Sequence, residues 1–384
     1  MDFGKKSIEL HRKWKGKIEI KPKAKVNTMT DLALAYTPGV AAPCSLIAKD
    51  PQESFNLTGR GNLVAVITDG SAVLGLGNIG PAAGMPVMEG KCVLFKAFAN
   101  VDAFPLCLNT QNVDEIVSIV KALEPSFGGI NLEDIGSPRC FEVEKRLKQE
   151  LSIPVMHDDQ HGTAIVVCAA LTNAVKVVKK QIGKLKIVIN GAGAAGIAIA
   201  RLLLLMNFGN VVMVDRVGIL NKNNKSLPSH HMSIAQITNK NNETGNLADA
   251  LRNADVFIGV SAGNIVSLEM AQSMHKDGIV FAMANPVPEI LPEIAKKAGI
   301  KVMGTGRSDF PNQINNALVF PGMFRGTLDA KAKQITEKMK IAAVEAIAKL
   351  IKPNELKPTY VIPSVLDKRV VPAIAKAVAK ASKY

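Results

Sequence analysis

The segment Lys186-Ile-Val-Ile-Asn190 has the apolar character of a short buried strand, and Gly191-Ala-Gly193-Ala-Ala-Gly196 follows it without a break. An apolar helical stretch then begins at Ile197. Glycines at this spacing constrain a chain strongly only between a strand and a helix. There Gly191 allows the tight turn, Gly193 lets backbone approach a pyrophosphate, and Gly196 permits close helix–strand packing. The phosphates then rest on Ala194, Ala195 and the first free N–H groups of the helix, where the dipole favours an anion. The next apolar run, Val211 to Val214, ends in Asp215, 19 residues beyond Gly196. An acid at that point accepts hydrogen bonds from a ribose 2′-hydroxyl and repels a 2′-phosphate, which favours NAD over NADP. Arg216 follows directly and counters that repulsion, so NADP stays open. The competing reading is a glycine-rich turn that binds nothing.

A loop of this kind belongs to a parallel sheet, and the rest of the chain has the matching pattern. Apolar runs at Leu63 to Thr68, Ala103 to Leu108, Gly129 to Leu132 and Ile153 to Met156 read as strands. So do Lys186 to Asn190, Val211 to Val214, Val256 to Val260, Ile279 to Ala282 and Val302 to Met303. Helix-period segments lie between most of them, including Val113 to Leu123, Arg139 to Leu151 and Gly162 to Lys179. Such alternation predicts an α/β fold: an N-terminal α/β domain over residues 1–160, then a Rossmann-type doubly wound parallel-sheet domain with a helical C-terminus over 161–384. The Asn- and Lys-rich stretch Asn221 to Asn246 reads as a surface excursion, with His230 and His231 as surface residues.

Composition narrows the partners. At 384 residues, 47% hydrophobic and 21% charged, the chain has core material for more than one globular domain. Ile197 to Met206 and Thr163 to Val178 are the most apolar stretches, and both read as buried helices rather than membrane spans. The N-terminus has no apolar h-region, so neither a signal peptide nor a membrane partner is expected. Five cysteines with no CxxC pair fit reduced thiols in a cytoplasmic setting. A net charge of +14 raises nucleic acid as a partner, but the lysines are scattered along amphipathic stretches and only 4% of residues are aromatic. A solvated lysine surface is therefore the expectation, with no nucleic-acid site.

Two acidic groups stand at strand ends: Glu133-Asp134 after Gly129 to Leu132, and Asp158-Asp159 after Ile153 to Met156. Ligand sites of α/β sheets form at the carboxyl ends of strands. Carboxylates converging from two such ends make a hard oxygen site suited to Mg²⁺ or Mn²⁺. His157 and His161 read as supporting or packing residues beside it. The plainer alternative for Asp159 is a helix N-cap.

These motifs jointly resemble the malic enzymes in their short bacterial-type form. The likeness runs through Tyr36-Thr-Pro-Gly-Val-Ala41, Gly59-Arg-Gly-Asn62, Val66-Ile-Thr-Asp-Gly70 and Leu74-Gly-Leu-Gly-Asn-Ile-Gly-Pro81. It continues through Pro86-Val-Met-Glu-Gly-Lys91, Asn131-Leu-Glu-Asp-Ile135, His157-Asp-Asp-Gln-His-Gly-Thr-Ala164 and Asn285-Pro-Val-Pro-Glu289. The resemblance implies oxidative decarboxylation of L-malate to pyruvate with NAD or NADP and a divalent metal, and an assembly of at least two copies. By motif it implies Lys91 as general base, Tyr36 as general acid, and Glu133, Asp134 and Asp159 as metal ligands. Asn285 and Asn315 are the implied malate contacts. One departure stands out: longer relatives carry a substrate-binding arginine after the Thr-Asp-Gly step, where this chain has Ser71-Ala72-Val73. Without the resemblance, Tyr36 reads as a turn anchor and Lys91 as a solvated lysine. The alternatives are another two-domain dehydrogenase, a malolactic-type enzyme and a non-enzymatic nucleotide-binding protein.

Overall fold

The computed structural model describes residues 3–73 and 75–383; Leu74 of the glycine-rich motif lies outside the described residues. Two sheets organise the chain. The first contains β1 (Leu63–Thr68), β2 (Asp102–Cys107), β3 (Gly129–Leu132) and β4 (Val155–His157), all parallel, in the order β2-β1-β3-β4. The second contains β5 (Lys186–Asn190), β6 (Asn210–Asp215), β7 (Gly218–Ile219), β8 (Val256–Gly259), β9 (Ile279–Ala282) and β10 (Val302–Thr305). Its order is β10-β9-β8-β5-β6-β7, parallel except for the short β7 at the β6 edge. Every expected strand is present within two residues at either end; β7, two residues long, leaves no readable periodicity.

The order of each sheet matters for function. In the first sheet the chain winds out from β1 to β2 on one side and to β3 on the other. In the second it winds from β5 to β6 on one side and to β8 on the other. Crevices open at such reversals, just beyond the carboxyl ends of the strands. The ends of β1 and β3 carry Asp69 and Glu133-Asp134, and the ends of β5 and β8 carry Gly191 and Val260-Ser261.

The Asp158–Val177 helix runs between the sheets. It is apolar on all sides, and Ala164 to Leu171 are all buried. A helix with no polar face must lie inside the molecule. One continuous core joins it to Val64 and Val66 of β1, Ile187 and Ile189 of β5, and the C-terminal helices. Those helices, Phe320–Asp329, Glu337–Lys349 and Val370–Ala381, pack back over the body as their amphipathic patterns require. Asn173 fastens them by donating to the carbonyls of Ala348 (3.0 Å) and Val361 (3.1 Å). Phe95 of the Pro81–Ala99 helix meets Phe320 and Phe324 edge-on, at 4.7 and 5.4 Å between ring centroids.

Two expectations are corrected. The long helix starts at Asp158 rather than Gly162, because two carboxylates suit the positive end of its dipole. The expected boundary at residue 160 therefore falls inside its first turn. Asn221 to Asn246 is not a bare surface excursion. It carries the Ser229–Ala235 helix, whose Ile234 is buried, and Asn239, also buried, donates to the carbonyls of Leu220 and Glu243. Asparagine-rich sequence reads as loop by composition, but here its amides replace backbone partners.

The N-terminal segment is different in kind. From Phe3 to Glu53 no residue is buried, although the segment holds the helices Phe3–Trp14, Met29–Ala35 and Ala41–Lys49. Ile20, Met29, Leu34 and Tyr36 are each two-thirds or more exposed.

Because Phe95 joins the first half of the chain to the last, Phe95→Ala is expected to cost about 3–5 kcal/mol of stability. Denaturant unfolding checks this; a loss below about 1 kcal/mol would mean the two halves hold together without it.

Candidate active site

Glu133 follows β3, and its backbone N–H donates to the Ile67 carbonyl at 2.9 Å, which extends the ladder one residue past the strand. Asp134 then turns into the left-handed region at φ 53°, which aspartate tolerates better than most residues. Its own N–H donates to Asp159 Oδ2 at 2.8 Å, bringing the first turn of the Asp158 helix against the end of β3. Asp159 is thus the second residue of that helix rather than its N-cap; the cap position is His157, whose side chain makes no capping bond. Glu133, Asp134 and Asp159 each present one oxygen within 4.8 Å of the others. Three converging carboxylates, two of them buried, are a donor set that fits a hard divalent cation such as Mg²⁺ or Mn²⁺.

Lys91 comes to the same place from the Pro81–Ala99 helix. Its Nζ lies 2.8 Å from Glu133 Oε1, 2.6 Å from Asp158 Oδ2, and 4.2 Å above the Phe320 ring. It is buried, not the solvated lysine of the plainer reading. Burial alone would push its pKa down, but Asp158, Glu133 and Asp159 together outweigh burial and hold it above the ordinary lysine range. Burial pushes Asp158 up, to about 6, against the pull of Lys91. Burial likewise raises Glu133, whose other oxygen accepts from Asn131 Nδ2 at 2.9 Å.

Glu144 braces this turn from behind. It accepts from the His157 backbone N–H (3.0 Å) and from the His161 ring (2.9 Å), and Lys148 pairs with it at 2.7 Å. These partners hold its carboxyl well below the usual range despite burial. His161 therefore supports the turn, as expected, and burial lowers its own pKa to about 4.

The dinucleotide loop has the geometry its glycines imply. Gly191 adopts φ 109°, and a Cβ there would lie 2.6 Å from the Val260 carbonyl oxygen. A Cβ on Gly196 would fall 1.8 Å from the Gly191 oxygen, whereas one on Gly193 would meet nothing within 4 Å. That open space, over a helix start at Ala194 with no side-chain cap, is what a close-lying pyrophosphate needs. The cleft here, about 610 Å³, is lined by Gly191, Gly193, Asp215, Arg216, His230 and His231. Asp215 accepts from the N–H groups of Ala192 and Arg216, both at 2.7 Å. His230 and His231 are half-buried beside it, a correction to their reading as surface residues.

The remaining candidates divide. The turn holding Asn285 is fixed from below by Glu289, which is fully buried and accepts from the N–H groups of Ser261 (2.9 Å) and Ala284 (3.0 Å). It lies against the loop that follows β1, since a Cβ on Gly75 would lie 2.5 Å from the Asn285 carbonyl oxygen. Asn315 is half-buried and caps its own short turn through Ala317 N–H at 2.8 Å. Tyr36 ends the Met29–Ala35 helix, exposed, and its hydroxyl makes no hydrogen bond among the described residues. Ser71 opens the Ser71-Ala72-Val73 step that carries no arginine. It donates to Asp69 (2.5 Å) and accepts from Gly136 N–H (2.8 Å), bracing the loop.

Residues 15–148 match the family of the malic enzyme N-terminal domain, and residues 160–383 match that of the malic enzyme NAD binding domain. The chain belongs to the malic enzyme family. Its reaction is the family's oxidative decarboxylation of malate. The chain is 56% identical to the bifunctional malic/malolactic enzyme of Bacillus subtilis, over 100% of this chain and 93% of that protein. It is 55% identical to the NAD-dependent malic enzyme of Geobacillus stearothermophilus, over 96% and 77%. The NADP-dependent malic enzyme of Escherichia coli is 46% identical over 96% of this chain, which spans 50% of that longer protein. The crystal structure of the NAD-dependent malic enzyme of Thermotoga maritima superimposes with a TM-score of 0.94 at 51% identity, covering 97% of this chain and 98% of that one.

Sequence reasoning about this malic enzyme left out Asp158 as the lysine's partner, Glu144 as the brace and Glu289 as the anchor. Arg307 was also missed, although its guanidinium donates to the Pro286 carbonyl at 2.9 Å, beside Asn285. The one legible hint for Asp158 was Gly162, four residues on: a Cβ there would lie 1.9 Å from Asp158 Oδ1. Gly162→Ala is accordingly expected to drive Asp158 off Lys91 and cut turnover at least about 100-fold, roughly 2.7 kcal/mol, with nucleotide affinity unchanged. Steady-state rates and a nucleotide titration check it; wild-type turnover would mean the Lys91–Asp158 pair is dispensable.

Proposed function

We propose that Lys91 is the general base and Tyr36 the general acid of malate oxidation, with Glu133, Asp134 and Asp159 holding the metal and NAD preferred over NADP. The observation that carries the reading is the buried Lys91 ammonium among carboxylates at the switch point of the first sheet. Lys91 first gives one ammonium proton to solvent and then, as the free amine, takes the proton of the malate C2 hydroxyl at Nζ, while Asp158 and Glu133 hold that nitrogen in place. A divalent cation on the three carboxylates supplies a Lewis acid for the C2 oxygen, and positive charge that offsets the acids around Lys91. A nicotinamide dinucleotide bound at the glycine loop would supply the acceptor for the C2 hydride. Once CO₂ leaves, the Tyr36 hydroxyl delivers a proton to C3. Asn285 and Asn315 orient the substrate carboxylates. Gly191, Gly193, Ala194, Ala195 and Gly196 seat the pyrophosphate, and Asp215 takes the ribose hydroxyls.

In the same reading residues 1–160 form the catalytic domain and 161–384 the nucleotide domain, meeting in the first turn of the Asp158 helix. The protein works as a homodimer or a higher homo-oligomer. The support is the segment Phe3 to Glu53, which buries nothing of its own and presents Leu34 and Tyr36 outward. Packing that face against a second copy would cover its apolar side chains and enclose Tyr36. Light scattering is expected to give twice the chain mass or more; a monomer at full activity would overturn this.

Removing the base is expected to cost about 10²–10⁴-fold in kcat. Lys91→Ala should bind nucleotide and Mn²⁺ normally yet fail to oxidise malate. Tyr36→Phe should still reduce NAD and stall at enolpyruvate protonation. Normal turnover by both variants would sink the assignment. The relative named for malolactic activity motivates one comparison: lactate formed without net NADH would favour that second reading.

A further inference from the structure

A cavity of about 1030 Å³ lies beside the dinucleotide cleft and shares only His230 with it. The Arg139–Glu150, Ala194–Leu205 and Glu337–Lys349 helices enclose it, together with the first turns of the Asp158 and Ser229–Ala235 helices. None of its side chains is assigned a contact with substrate or metal, although Glu144 and His161 on its wall brace the turn that carries Asp158. Its floor is apolar: Ile197, Leu202 and Leu205 follow one another along the helix that starts at the glycine loop.

Its walls are cationic, with five basic side chains against three acidic ones. Lys148, Lys340 and Arg139 are paired with Glu144, Glu337 and Asp69 at 2.7, 2.6 and 3.3 Å. Arg201 is not: it donates to the Ser233 hydroxyl at 3.1 Å and has no acidic partner among the described residues. Lys145 likewise has none, and Glu142 is the single lining acid in the same condition. Gln160, only 5% exposed, lines the cavity, and its Nε2 has no acceptor among the described residues. Buried donors are rarely left that way unless something supplies the acceptor. At the end nearest the dinucleotide cleft, the Phe141 and His230 rings stand 6.1 Å apart, and a flat ring can pack against such a pair.

We propose that this cavity binds an organic phosphate, with the phosphate on Arg201 and Lys145 and the body of the ligand on the apolar floor beside His230. A guanidinium presents paired donors matched to phosphate oxygens, and the floor gives an apolar body area that inorganic phosphate lacks. The site is separate from the pyrophosphate-binding glycine loop, and its occupancy does not depend on malate.

The test uses the full-length enzyme with saturating NAD and Mn²⁺, no malate, and calorimetric titration with AMP and, separately, inorganic phosphate. AMP is expected to bind once per chain alongside NAD, about tenfold or more tighter than phosphate. Arg201→Glu combined with Lys145→Glu is expected to weaken AMP about tenfold or more while NAD affinity, which reports a folded variant, stays unchanged. AMP that only displaces NAD, AMP that binds no tighter than phosphate, or a double variant that binds it like wild type would each overturn the proposal. Because NAD binding and malate turnover are read separately, failure here leaves the reading of the active site intact.

Discussion

The ammonium of Lys91 lies between two buried carboxylates, and the active site depends on that arrangement. Taking these charges out of water costs far more than an exposed pair would, and only close geometry with further hydrogen bonds repays it. The structure supplies both. Asp158 sits at the positive end of the central helix, Asn131 satisfies the outer oxygen of Glu133, and the Asp134 backbone holds Asp159 alongside. Three separate segments are thereby pinned to one point: the Pro81–Ala99 helix, the end of β3, and the turn after β4. The cluster also carries more negative than positive charge, which is why it suits a cation.

The central helix carries this geometry to the rest of the molecule. Its first turn presents Asp158 and Asp159, its middle is core to both sheets, and its far end meets the C-terminal helices through Asn173. The dinucleotide loop begins beyond the end of the same helix. The carboxylate cluster and the glycine loop are therefore set relative to each other by packed apolar side chains rather than by a flexible linker.

Much of this was legible in the sequence. Strand positions followed from apolar runs, because parallel strands buried on both faces leave little else in them. The glycine loop was readable because each glycine meets a distinct steric demand. The acidic pairs were visible as adjacent carboxylates after apolar strands. Other features could not be read, for stated reasons. Asp158 and Asp159 are neighbours in sequence, and only the helical turn sends one to Lys91 and the other to Asp134. Glu144 and Glu289 look like ordinary surface acids until backbone N–H groups converge on them. The Asn221 to Asn246 stretch misled because side-chain amides can stand in for backbone partners. Asp215 and Arg216, side by side, leave the choice between NAD and NADP to geometry that the amino-acid letters do not contain.

The most direct test of the account is the initial rate of cofactor reduction with L-malate and Mn²⁺. NAD and NADP would be run side by side, with a chelator control and pyruvate assayed in parallel. The account predicts a chelator-sensitive rate, pyruvate equal to reduced cofactor, and a higher kcat/KM with NAD. A rate untouched by chelator, or none with either cofactor from protein that still binds nucleotide, would contradict it.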